Sequence, residues 1–173
     1  MDAGHTDDET LAAAAQARAE HLERTVHGCS QCVLGGVMEA LGCTDPGAFR
    51  AASGLGGGIG LTTDGSCGAL TGGVMAIGLV YGRTLERIEE RTLTAYRLAR
   101  RLQDRFVAEY GSGTCKDIHQ RLFGRTYRLT DPDDWKAFLA AGGHSTHCPA
   151  VVGKAARWTC EILLEERRRR PGS

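Results

Sequence analysis

Apolar residues recur along this chain at intervals of three and four, the period of an amphipathic helix, and glycine, proline and polar breaks separate the periodic stretches. Thr6-x-x-Glu9 reads as a capping box, and Leu11, Ala15, Ala19, Leu22 and Val26 mark one face of the helix it opens. A second helix is expected from Cys29 to Leu41, with Val33, Val37 and Ala40 inward. Asp45-Pro46 supplies an N-cap and a first-turn proline for a short helix to Ser53. The stretch from Gly54 to Leu61, GLGGGIGL, cannot hold a stable helix or strand and reads as an ordered loop, because it is apolar as well as flexible. Cys67 to Tyr81 reads as a helix rich in small residues (Gly68, Ala69, Gly72, Gly73, Ala76 and Gly78), ended by Gly82.

Thr84 is expected to open the longest helix, to Tyr110, with Leu85, Ile88, Thr92, Tyr96, Ala99, Leu102 and Phe106 in phase. Further helices are expected from Cys115 to Phe123, from Asp131-Pro132 to Gly142-Gly143, and from His147 to Arg168. The last has Thr146 as its cap and Val151, Val152, Ala155, Trp158, Thr159 and Ile162 as its stripe. There is no alternating strand pattern, internal repeat or linker. The expected fold is all-α: a single domain over residues 1–173, an irregular helical bundle of about six to eight helices. Within it, 1–28 is the N-terminal helix, 29–166 the core and 167–173 a basic tail.

Composition narrows the function classes. The 173 residues suffice for a hydrophobic core without staples. Zero formal net charge gives no argument for nucleic acid or a membrane surface as partner. Arginine outnumbers lysine 18 to 3, which with the abundant alanine and glycine reads as the mark of a GC-rich genome rather than a phosphate-binding surface. Arg167 to Arg170 reads as a solvated helix end and frayed tail. No apolar run approaches the roughly 20 residues that span a bilayer. The N-terminus is acidic (Asp2, Asp7, Asp8, Glu9) and lacks an apolar core, so no signal peptide and a cytoplasmic location are expected. Seven cysteines in a reducing compartment point to metal binding, catalysis or buried small apolar side chains before structural disulfides.

Four of those cysteines, Cys29, Cys67, Cys115 and Cys148, each open a helix after a break in the apolar pattern. A thiol there faces unpaired N–H groups and the positive end of the helix dipole, a setting that favours the thiolate. Four such positions suggest one shared site built from helix ends. Gly68 and Ala69 remove bulk beside Cys67, and Thr71 one turn on is placed to hydrogen-bond a sulfur or a substrate. His119 lies at i+4 from Cys115 and suits a second ligand or an imidazole partner to a thiolate; the plain alternative is an ordinary helix histidine. His144 and His147 beside Cys148 are extra ligands, proton carriers or simply solvated. Cys29-x-x-Cys32 is either a redox pair or two ligands of one metal. Cys43 and Cys160 read as structural small apolar residues. The glycine-rich loop has neither G-x-G-x-x-G nor G-K-[ST], so it is not a phosphate cradle; its expected role is to pass close to the Cys67 helix and offer N–H groups.

Cys29-x-Gln31, the stretch from Ala52 to Gly60, Cys67-Gly-Ala-Leu-Thr-Gly72, Cys115 and Cys148-Pro149 together resemble the C-GCAxxG-C-C family, over roughly Cys29 to Glu166. That family is named for its cysteines and its implied redox activity. The resemblance implies that Cys29, Cys67, Cys115 and Cys148 are the family's cysteines. The chain also looks similar to the non-haem part of split-Soret cytochromes, dimers that carry an iron–sulfur cluster as well as haem. No C-x-x-C-H is present, so the haem half does not carry over. Ser66 before Cys67, Gly68 between Cys67 and Ala69, and Cys32 all depart from the family pattern.

Four thiolates suit an iron–sulfur cluster, [4Fe–4S] or [2Fe–2S]. The expected protein is a redox protein, an electron carrier or a cluster-dependent oxidoreductase or lyase acting on a small molecule, with Cys67, Thr71 and His119 in catalytic roles. Cys32, His119 and His147 are the candidate extra ligands. The alternatives are a thiol–disulfide protein using Cys29/Cys32 or Cys67/Cys148, and a helical domain held by structural zinc. The expected partner is a redox protein or a small substrate, with no nucleic acid and no membrane, and the long helix from Thr84 to Tyr110 offers a face for a homodimer.

Overall fold

The computed structural model describes residues 3–91 and 93–170, residues 3–6 by their backbone alone. Eight α-helices follow in order: α1 (Ala3–Thr25), α2 (Cys29–Ala40), α3 (Pro46–Ala51), α4 (Gly68–Tyr81), α5 (Thr94–Tyr110), α6 (Cys115–Phe123), α7 (Pro132–Ala140) and α8 (Cys148–Arg169). Short 3₁₀ turns cover Ala52–Leu55 and Leu85–Arg87, and a π-helical turn, Gly143–His147, leads into α8. No strand forms among the described residues, which hold one isolated bridge, Ser66 with Thr114. No helix of the described residues is long and apolar enough to cross a membrane.

The bundle is built on α8, which packs against α1, α2, α4 and α5. Its Val151, Val152, Ala155, Thr159 and Ile162 are buried as the periodicity predicts. The Trp158 ring meets Phe106 of α5 edge-on at 5.7 Å between centroids. Arg97, Arg101 and Arg105 on α5 pair in order with Glu166, Glu165 and Glu161 on α8. The partly exposed pairs of this ladder contribute about 0.2–1 kcal/mol each, so apolar burial carries the contact.

Several expectations change. On α1 the buried stripe is Ala12, Ala15, Ala19 and Glu23, with Val26 66% exposed: alanines let α1 lie close to its neighbours, and that contact sets the rotation. The helix runs through the expected Thr6 cap from Ala3. The long helix from Thr84 does not form. Residues 84–91 make a 3₁₀ turn and irregular chain, and the longest helices among the described residues are α1 and α8. Leu85 (82% exposed) and Ile88 (50%) find no surface to cover, and a helical period without tertiary contact does not sustain a helix. The inward face of α5 is Thr94, Leu98, Leu102, Phe106 and Tyr110, while Tyr96 faces out; Thr92 lies outside the described residues. The helix end at Arg167–Arg170 is not merely solvated, since Arg168 pairs with Asp8 of α1 and Arg170 with Glu166; residues 171–173 of the tail, and Asp2, lie outside the described residues. Thr146 does not cap α8, because its hydroxyl donates to the Gly142 carbonyl and the preceding π turn puts His147 at the cap. Cys160 is fully buried as expected, whereas Cys43 is exposed.

The small residues of α4 work by close approach. A Cβ on Gly72 would lie 2.2 Å from the Ser30 carbonyl oxygen of α2. Gly72→Ala should therefore destabilise the chain by about 3 kcal/mol through backbone displacement. Gly78→Ala, on the same helix in open space, should be neutral or stabilising by about 0.5–1 kcal/mol. Denaturant midpoints of the two variants check this.

Candidate metal and redox site

Four separate elements deliver the four cysteines to one place. Cys29 is the first residue of α2, Cys67 caps α4, Cys115 opens α6 and Cys148 opens α8. All four line one cavity of about 120 Å³. The starts of α4 and α6 are tied side by side: the Cys67 amide donates to the Gly113 carbonyl at 2.8 Å, and the Cys115 amide to Gly65 at 3.0 Å.

The glycine-rich loop closes another side. Gly57, Gly58, Ile59, Gly60 and Leu61 all have φ between 58° and 72°, a single left-handed turn. Left-handed geometry is unfavourable for Ile59 and Leu61, and the glycines between them make it affordable. The turn is pinned by Thr63 N–H donating to the Gly57 carbonyl and Gly65 N–H to Gly58. It brings Gly57 and Gly58 beside the thiols: the Gly57 amide faces the Cys29 sulfur, and a Cβ on Gly58 would lie 2.9 Å from Cys115 Cβ. A Cβ on Gly68 would lie 2.3 Å from Cys29 Sγ. Small residues clear space around the sulfurs, as the sequence suggests.

Apolar side chains complete the walls: Leu61, Ile118, Leu129, Trp135, Phe138 and Val151. His119 is buried here, with Nε2 at 3.8 Å from Cys115 Sγ, its ring stacked on Phe138 and its Nδ1 without a partner. The sequence reading did not single out Glu23, His27, Ile118, Leu129, Trp135 or Phe138. Glu23 was detectable as a charged residue one turn beyond Ala19 on a stripe of buried alanines; His27 and Phe138 carry no such mark.

Other candidates lie elsewhere. The Thr71 hydroxyl donates to the Gly68 carbonyl at 3.1 Å, and the side chain lines a separate groove with Val74 and Tyr96. The Cys32 thiol donates to the His27 carbonyl at 3.2 Å, outside the cavity lining. The His147 ring packs on Phe123 at 4.6 Å, whereas His144 lines the cavity. All seven cysteines are free. Among the described residues, no three His, Cys, Asp or Glu side chains are arranged to share one metal ion.

Helix starts do not make these thiols acidic. Burial pushes Cys29, Cys115 and Cys148 well above the ordinary thiol range, and the neighbouring thiols add to the shift. Cys67 is raised to about 11 by burial, held from going higher by the amides of Ala69 and Leu70. A helix dipole is worth about 0.3–2 kcal/mol, less than the desolvation of an ion in an apolar cavity. Burial likewise depresses His119 to about 4, with His144 assisting, so its imidazole is neutral at pH 7. The resting site is four protonated thiols and a neutral imidazole, from which a bound metal would draw the protons.

The sequence pattern of a family described as "Putative redox-active protein (C_GCAxxG_C_C)" matches residues 27–162. The chain belongs to this family. Its matched span includes all four cavity cysteines and the left-handed glycine turn, and begins four residues after Glu23. No curated protein and no solved structure matches the chain.

Two outcomes follow for the metal-free protein. Exposed Cys43 should be alkylated first at pH 8, and Cys67 should gain reactivity only as pH approaches about 11; mass spectrometry of iodoacetamide-treated native protein checks the order. The unfolded chain loses thiol protons near pH 9.0, while the folded chain keeps them. Above that pH the unfolded state binds fewer protons, so stability should fall from about pH 9 upwards, read as a dropping urea midpoint.

Proposed function

We propose that this redox-family protein binds an iron–sulfur cluster through Cys29, Cys67, Cys115 and Cys148. The observation that carries the reading is the convergence of these four thiols, from four separate helix starts, on one small apolar cavity. Four cysteines are the usual ligand complement of such clusters. The missing Cβ atoms of Gly68 and Gly58 leave room beside the Cys29 and Cys115 side chains. A single zinc ion with Zn–S bonds of about 2.3 Å would draw the sulfurs to within about 4 Å of one another. Zinc is the alternative, and a colourless product free of iron and sulfide on reconstitution distinguishes it.

When bound, the cluster would take up and release single electrons. The chain's own part is to bind it and to tune it. Amides of Gly57 and Ser30 facing Cys29, and of Ala69 and Leu70 facing Cys67, stabilise negative charge on those sulfurs and raise the potential. Phe138, Trp135 and Leu129 exclude water. A cavity of about 120 Å³ is well below the roughly 300 Å³ at which substrate pockets begin, which favours electron transfer over catalysis on a bound substrate.

Anaerobic reconstitution with iron and sulfide tests the reading. The expected product is brown, with iron and acid-labile sulfide in matching amounts. Cys67→Ser and Cys115→Ser should each reduce bound iron to near background, while Cys43→Ser should leave it unchanged. A colourless product with no iron after reconstitution would overturn the proposal.

A further inference from the structure

Besides the four thiols and His119, the cavity holds a carboxylate, Glu23. Glu23 reaches it from the last turn of α1, its side chain 1% exposed. Carboxylate Oε1 lies 2.9 Å from His144 Nδ1. The other oxygen, Oε2, is buried with no hydrogen-bond partner. The Cys32 thiol also faces this carboxylate, but it donates to the His27 carbonyl at 3.2 Å. His144 is itself packed by rings: His27 at 4.1 Å, Phe138 at 5.2 Å and Trp135 at 5.4 Å between centroids. The carboxylate is thus oriented through one oxygen and free at the other.

An unpaired carboxylate oxygen in an apolar cavity is costly and calls for an occupant that completes it. Glu23 lines the same cavity as Cys29, Cys67, Cys115 and Cys148. A cluster held by four thiolates is anionic. A fifth anion facing it is repelled unless its free oxygen binds a cation there, and iron is the cation the site would hold. Ligating carboxylates are commonly steadied by a hydrogen bond to the second oxygen, the role His144 fills.

We infer that Glu23 is a fifth protein donor to the metal centre, with Oε2 on one iron and Oε1 held by His144. The inference rests on the iron–sulfur reading and goes beyond it: one iron is distinguished from the others by an oxygen ligand. Glu23 also precedes the span that matches the family, so the donor belongs to this chain's N-terminal helix rather than to the family pattern.

The test is Mössbauer spectroscopy of the full chain reconstituted with Mössbauer-active iron and sulfide, for the unaltered protein and for Glu23→Gln. The unaltered protein should show one iron subsite with the larger isomer shift of oxygen ligation, and Glu23→Gln should lose that subsite. An unaltered protein whose irons are all sulfur-ligated, or a Glu23→Gln spectrum identical to it, would overturn the inference and leave the cluster standing. An unaltered protein that takes up no iron would overturn the iron–sulfur reading itself. Because the first spectrum needs no substitution, misfolding of the variant cannot hide the answer.

Discussion

Bringing four thiols into one dry cavity requires backbones to pass closer than side chains normally allow. The contact of α2 with α4 is the tightest expression of this: Gly72 leaves the Ser30 carbonyl no room for a Cβ, and Gly68 does the same for the Cys29 sulfur. With α2 and α4 set, the bridge between Ser66 and Thr114 places α6, and α8 runs past all of them with Cys148 at its head. The left-handed glycine turn then fills the remaining side. Each of these features is locally unfavourable, a glycine in a helix or a β-branched residue at positive φ, and each is explained by the space it leaves for sulfur.

Electrostatics in the cavity follow from the same closeness. Desolvation outweighs the helix dipole, so the thiols rest protonated and the His119 imidazole rests neutral. Such a site is unsuited to nucleophilic chemistry by a free thiolate, which needs a lowered thiol pKa and access. The proposed metal group would supply its own positive charge there. The pairing of Glu23 with His144 belongs to this balance, since it leaves one carboxylate oxygen unmet at the edge of the sulfurs.

The bundle around the site is ordinary by comparison. Alanines on α1, leucines and Phe106 on α5, and the branched residues of α8 make a continuous core. A second, aromatic cluster of Tyr127, Phe138 and their neighbours caps the cavity on the side of α6 and α7. Ion pairs join α5 to α8 and α1 to α8 along the exposed flanks.

Local chemistry made much of this legible before any coordinates. Asp45-Pro46 and Asp131-Pro132 start helices because cap and proline act within a few residues, and in the structure both aspartates accept backbone N–H groups as caps should. The four cysteines at helix starts, the small residues beside Cys67 and the ordered glycine loop were readable for the same reason. What depended on distant packing was not. Leu85 and Ile88 have helical spacing yet no surface to cover; Thr71 turns to its own helix backbone; the stripe of α1 is rotated by contact with α2 and α8. The protonation of the thiols, and the presence of Glu23 and Phe138 at the site, come from burial and from neighbours far away in sequence, and those exist only once the helices have packed.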